Sequence, residues 1–486
     1  MRKVIYLIGI GILLLSIVLL FSSCSTSIVP STNQDETSIL TKEVYDDCPD
    51  APAVAAFLLK EAGINKNYEG GNYISDVARE MGPGTDFLGW SKCDQRYADA
   101  VALFLKGQGA SVNVENIVYN VTQNKYYGII QNAINEAVSG DTIIVCPETY
   151  YENINFFGKD ITLQSTNPDN ADVVDSTTIN GGNKGSVVTF SSDETAQAVL
   201  CGFTITNGNG TLHESINRTF GGGIYIYQSN PTIEKNNIQG NEADRGGGIS
   251  IRMSSDPTIT SNNINNNEAL SGSGIYIIEF SSPTITENSI THNIAIGLGG
   301  GIVSNGSSSY NLCSPTIRNN NITNNEASGG GGISMTYNAS TITGNEINNN
   351  IANSEASGGG GIFIVVSDCD LSENEINYNQ ASRGGGICIG SGGVFSYGSV
   401  TIRGNTINNN QATSEDGGGG IYLFTETNIT IGGSSDADLG NFNNFTNNYK
   451  TETPASADQH IRKDDVTFGS IDCHASFPDN YFTPGP

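Results

Sequence analysis

Positive charge is scarce in this chain of 486 residues: 22 Lys and Arg stand against 50 Asp and Glu, for a formal charge of −28. Loss of Arg2 and Lys3 with a cleaved leader would make it 20 − 50 = −30. Nucleic acids and anionic membrane surfaces both need Lys and Arg to neutralise phosphate, so neither is an expected partner. Histidine is rarer still, with four in the whole chain, and no CxxC pair or His–Cys cluster is present. A zinc site is therefore not expected. Strong helix formers thin out after residue 140, which argues against helix bundles and Rossmann folds. What is abundant is glycine, 59 residues, and asparagine, 57 residues, of which 41 follow Thr206. Low charge with much Gly and Asn can mark a disordered tract. Here buried-type residues punctuate the Gly/Asn clusters at fixed offsets, which a disordered tract would not do.

The one long apolar run, Val4 to Phe21, follows Arg2-Lys3 and reads as a secretory signal. Its 18 residues are long for such a signal, so an uncleaved anchor helix is the alternative. Leu20-Phe-Ser-Ser-Cys24 resembles a bacterial lipoprotein box, and that resemblance implies a diacylglyceryl group on Cys24. An exported chain can form disulfides. Cys48 and Cys93 bracket one segment and form the best candidate pair, whereas Cys146, Cys201, Cys313, Cys369, Cys388 and Cys473 are scattered.

Five segments follow from the patterning: a leader (1–24), a polar tether (25–44), a small helical module (45–118), a repeat domain (119–448) and an irregular tail (449–486). In the module, Val54, Phe57, Leu58 and Glu61 keep helical spacing, and so do Tyr97, Val101, Phe104 and Leu105. Further on, Ile130, Ala133, Ile134, Ala137 and Val138 predict one helical face, followed by a strand over Thr142–Cys146.

The repeat carries the architecture. Gly-Gly-Gly-Ile, once Gly-Ser-Gly-Ile, places Ile at 224, 249, 275, 302, 333, 362, 387 and 421, at spacings of 25 to 34 residues. A second apolar slot, mostly Thr-Ile, runs from Ile233 to Ile402, and a third follows it by five residues, from Ile238 to Ile407. Such a period implies a solenoid, and three strands per period imply a three-sided coil. Asn stands two residues before every third-slot Ile (Asn236 to Asn405) and three residues after it (Asn241 to Asn410). Stacked once per coil, these amides can bond as ladders, and Asn also tolerates left-handed backbone. Ala recurs two residues after the second Asn, which predicts a tight corner. The fold class expected is all-β: a right-handed parallel β-helix with a small N-terminal helical module.

Ile130-Gln-Asn-Ala-Ile-Asn-Glu-Ala, Gly140-Asp-Thr-Ile-Ile-Val145 and Tyr150-Tyr-Glu-Asn-Ile154 together resemble the start of pectin-lyase-like right-handed parallel β-helices. In that family an amphipathic helix closes the open end of the coil. The Gly-Gly-Gly-Ile and Asn-x-Ile repeats over 221–448 are similar to the passenger repeats of chlamydial polymorphic outer-membrane proteins, although no membrane barrel is expected after Asn448. The resemblance bears on architecture more than activity, since one fold hosts many functions. Polysaccharide lyases and glycoside hydrolases of the pectin-lyase-like superfamily imply an enzymatic alternative. The Gly-His-Gly and Arg-Ile-Lys of polygalacturonase-like members do not occur here, and the repeat domain holds no Asp-Asp pair. Between 221 and 448 the only cations are Lys235, Arg245, Arg252, Arg318, Arg383 and Arg403, so no catalytic residue is assigned. Asp368-Cys-Asp370 and Asp436-Ala-Asp438 each put two carboxylates on one face, which suggests at most a structural Ca²⁺ and no other cofactor or metal.

The expectation is thus an exported, lipid-anchored surface solenoid that binds a glycan or a cell-surface protein without catalysis. Residues one and three after each Gly-Ile isoleucine should face outward. Tyr225, Tyr276, Phe363 and Tyr422 therefore form the candidate ligand face, joined by Tyr310 and Tyr397 from two long inserts; the alternative is that these rings merely stack on adjacent coils.

Overall fold

A computed structural model describes residues 118–423, apart from breaks at 124, 309–311, 355–357, 391–397 and 415–416, together with strands at 428–431, 444–446, 448–450 and 461–463. The leader with Cys24, the tether, the helical module with Cys48 and Cys93, Asp436 and Asp438 lie outside the described residues.

One coil shows how the sequence winds. Ile249–Arg252, Thr258–Thr260, Asn263–Asn265 and Glu268–Ser271 are its four strands, and Ile275–Ile278 opens the next coil directly over Ile249. Equivalent strands pair in parallel from coil to coil: Ile259 with Ile285, Ile264 with Ile290, Ala269 with Ala295. Within the repeat each strand therefore meets its own equivalent, and the Ile slots become fully buried columns in one continuous core. The chain is a right-handed parallel β-helix, as expected.

The coil carries one more ladder than three apolar slots suggest. The segment expected as a tight corner at Ala243, Ala269 and Ala295 is itself a short strand, and these strands belong to a sheet of ten that also takes in Thr211–His213, Arg218–Phe220 and Tyr449–Lys450. Ala is small enough for the corner to close over it while two to four residues still bond to the coils on either side. Parallel pairing also passes the boundary expected at Asn448: Ile461–Lys463 pairs with Ile421–Leu423.

Both asparagine registers are continuous ladders. Asn262 Nδ2 donates to Asn288 Oδ1 (3.0 Å) and to the carbonyls of Ile233 (2.8 Å) and Thr260 (3.0 Å). Its Oδ1 accepts the Asn236 backbone N–H (2.9 Å) and Nδ2 (3.1 Å). The second ladder runs in the same way from Asn241 to Asn448. These amides are buried and satisfied, as burial requires. The left-handed residue, however, is the one before each ladder Asn. Lys235, Ser261, Glu287, Asn319, Gly344, Glu373 and Gly404 precede the first register, and Gly240, Asn266, His292, Asn324, Asn349, Tyr378 and Asn409 precede the second, all with φ from 51 to 65°. That kink turns the ladder side chain into the coil.

The glycine triplets have separate reasons. Gly246 has φ +69°, and a Cβ on it would sit 2.3 Å from the Ile249 carbonyl oxygen. Gly248 lies against the next coil, where a Cβ would come within 2.6 Å of the Gly274 carbonyl oxygen.

The first coils are closed by helix α1, Ile130–Glu136, which buries Ile130, Ala133 and Ile134. The Glu152 carboxylate accepts the N–H groups of Ile130 (2.8 Å) and Gln131 (2.9 Å), and Lys159 Nζ donates to the carbonyls of Ile134 and Asn135 (both 2.6 Å). The acid thus meets the positive helix end and the base the negative one. The helical face stops short of expectation: Ala137 is buried in extended backbone, and Val138 is exposed. A hairpin, β1 (Val118–Asn120) and β2 (Lys125–Tyr127), pairs antiparallel with β3 (Thr142–Val145) and covers that sheet's first edge.

Candidate binding faces

The Gly-Ile sheet has the expected alternation. Ile226, Ile251 and Ile277 point into the core, and the residues on either side of them point away. Pointing away does not make them accessible. Tyr225, Tyr276 and Tyr422 are 7%, 4% and 0% exposed, so their rings are not open stacking platforms. The cover comes from neighbouring coils. Arg245 lies over the Tyr276 ring at 5.5 Å and Arg383 over the Tyr422 ring at 5.6 Å, while Phe220 and Val303 complete the cluster around Tyr225 and Tyr276. Tyr227, Ile278, Phe363 and Val365 keep part of their surface. Tyr310 and Tyr397 lie outside the described residues.

Arg252 and Arg403 on this rod are already paired. Arg252 stacks on Phe220 at 3.9 Å and forks onto Glu279 with contacts of 3.2 and 2.8 Å. Arg403 forks onto Asp370 at 3.3 and 2.8 Å, and Asp368 accepts the Ser399 N–H at 2.6 Å. Asp368 and Asp370 do share a face, but one serves an ion pair and the other a backbone bond. Among the described residues no group of three His, Cys, Asp or Glu is placed to hold a metal ion. Burial pushes the thiols of Cys201 and Cys369 up to about 12, with Glu234 adding to the effect at Cys201 and Asp368 at Cys369. Cys388, also buried, moves in the same direction.

An open concavity lies on the Glu-Ala sheet. A groove of about 380 Å³ has Ala243 and Ala269 in its floor, with Glu242, Asp244, Glu268, Leu270, Ile294 and Ile296 around them. It is a groove because the short Ala strands recede while a hairpin, Thr211–His213 with Arg218–Phe220, stands at one end. Ile294 is 48% and Ile296 74% exposed. Burial acts to raise Asp244, but the Thr219 N–H, Arg218 and the Thr219 hydroxyl outweigh it and hold this carboxyl below its ordinary range. The sequence carried a signal for this groove: Ile294 occupies the column that Glu242 and Glu268 hold in the two preceding coils.

The fold and its faces define a class, the parallel β-solenoids. Within it, residues 162–347 match the family described as right handed beta helix region, and the chain is a right-handed parallel β-helix repeat protein. No curated protein and no solved structure matches the chain.

Proposed function

We propose that this solenoid is an exported, surface-displayed scaffold that binds a glycan or a protein partner along its side and performs no catalysis. The observation that carries this reading is the groove on the Glu-Ala sheet, where a soluble rod leaves Ile294 and Ile296 uncovered beside carboxylates. Contiguous apolar surface of that kind is expensive to expose and commonly marks a binding site. Display rests on the leader: a lipid on Cys24 and the tether 25–44 would hold the rod off a membrane while its acidic charge keeps it from lying down.

Two measurements test the proposal. Incubation of the purified chain with a polysaccharide panel, with and without Ca²⁺, should release neither reducing ends nor unsaturated products. Release at enzyme-like rates would overturn it. A Cys24→Ser variant should leave the membrane fraction, and one that still partitions there would replace the lipid with an uncleaved anchor helix.

A further inference from the structure

We infer that the groove on the Glu-Ala sheet docks a cationic amphipathic segment of a partner protein. This rests on the scaffold reading and specifies the partner. The ionisable residues around the groove, Glu242, Asp244 and Glu268, are all acidic. Asp244 is offset by Arg218 at 3.1 Å, which leaves two exposed carboxylates, Glu242 and Glu268, paired on adjacent strands. Beside them Leu270, Ile294 and Ile296 supply an apolar strip. A ligand that satisfies both must carry positive charge and aliphatic surface together.

Two other occupants fit less well. A neutral glycan would want an aromatic platform, and no aromatic residue lines the groove. A second copy would bring the same Glu column against itself in a chain of charge −28. The strands beneath the groove are already paired on both sides, from Glu242–Arg245 through Ile294–Ala295 to Glu326–Ala327. The partner is therefore read by its side chains and does not add a strand.

The full chain would be titrated with a labelled peptide of Leu and Lys only, and with the same peptide carrying Glu for Lys, by fluorescence anisotropy at low salt. The Lys peptide should bind and the Glu peptide should not. An Ile294→Ser, Ile296→Ser double variant should weaken binding at least about tenfold, the loss expected if a partner buries roughly two of the carbons it removes. Glu242→Gln with Glu268→Gln should weaken it several-fold, and added salt should erase that difference. Glu346→Gln with Glu375→Gln removes the same charge from adjacent exposed positions on the Asn-x-Ile sheet and should leave affinity unchanged. No binding of the Lys peptide, unchanged affinity in the Ile double variant, or an equal loss in the distant Glu pair would overturn the inference. A glycan held equally by parent and groove variants would also overturn it while leaving the scaffold reading in place.

Discussion

The guanidinium carbon of Arg245 stands 5.5 Å from the ring centroid of Tyr276 in the next coil, and Arg383 repeats the relationship with Tyr422 at 5.6 Å. In both pairs the cation precedes a glycine triplet and the ring follows the first Ile of the succeeding coil. These rings brace neighbouring coils. Tyr276→Ala is accordingly expected to cost about 3 kcal/mol in a denaturant melt, as for other buried aromatics. Arg245→Ala should cost about 0.5–2 kcal/mol. If Tyr276→Ala melted like the parent but lost a ligand, the ring would belong to a binding site.

The asparagine ladder gives a graded expectation. Asn320→Ala would strip the acceptor from the Asn288 backbone N–H and Nδ2, and the donor from the Ile285 and Arg318 carbonyls. The cost should be about 1–3 kcal/mol, and similar for Asn345→Ala. Asn236 begins the register, and on the upstream side its Oδ1 accepts only the Phe203 N–H, so Asn236→Ala should cost less. Equal and negligible losses at all three sites would mean that the ladder adds nothing to stability.

Acid should loosen the N-terminal end and the hairpin beside the groove. Burial would raise Asp141, but bonds from Asn120, the Val138 N–H and Gln123 outweigh it and lower this carboxyl below its ordinary 3.8. Asp244 is lowered in the same sense. A carboxyl depressed by folding contributes stability that is present above its unfolded value and is lost as pH falls through its folded one. Amide protection factors at β1 and at Arg218–Phe220, taken relative to the intrinsic exchange rate at each pH, should therefore fall below about pH 4. Asp141→Asn should flatten that dependence at β1 alone.

Thiol chemistry reports on coil opening. With Cys201 and Cys369 pushed up to about 12, almost no thiolate exists at pH 8, and both side chains are buried. Alkylation mapped by mass spectrometry should find these two cysteines unmodified in the native chain and modified in denaturant. Rapid native labelling of Cys369 would mean that coils open locally.

What could be read from the sequence was whatever repeats in every coil. The Ile columns and both Asn registers are spelled out about seven times each, so chance could not sustain them. The left-handed position before each ladder Asn was hidden because Lys235, Glu287, His292 and Tyr378 can all occupy it, which leaves no residue type to notice. The burial of Tyr276 was hidden because its cover, Phe220 and Arg245, comes from a hairpin insert and from another coil. The fourth ladder escaped because Ala at a corner looks like a turn until its equivalents stack. Ile294 in the Glu column was visible, and only the depth of the groove around it needed coordinates.

The ladder geometry also bears on how such a chain can change over generations. Asn236 and Asn262 are 26 residues apart and make equivalent contacts. Deleting residues 237–262 would join Asn236 directly to Asn263-Ile264 and set its amide against Asn288 in the place Asn262 now holds. No Ile changes column, and no amide loses its partner. Such a shortened chain is expected to melt in a single transition, as the parent should. Whole coils can then be gained or lost in the gene without a new fold being found, so the length of the rod can drift freely while its cross-section stays fixed.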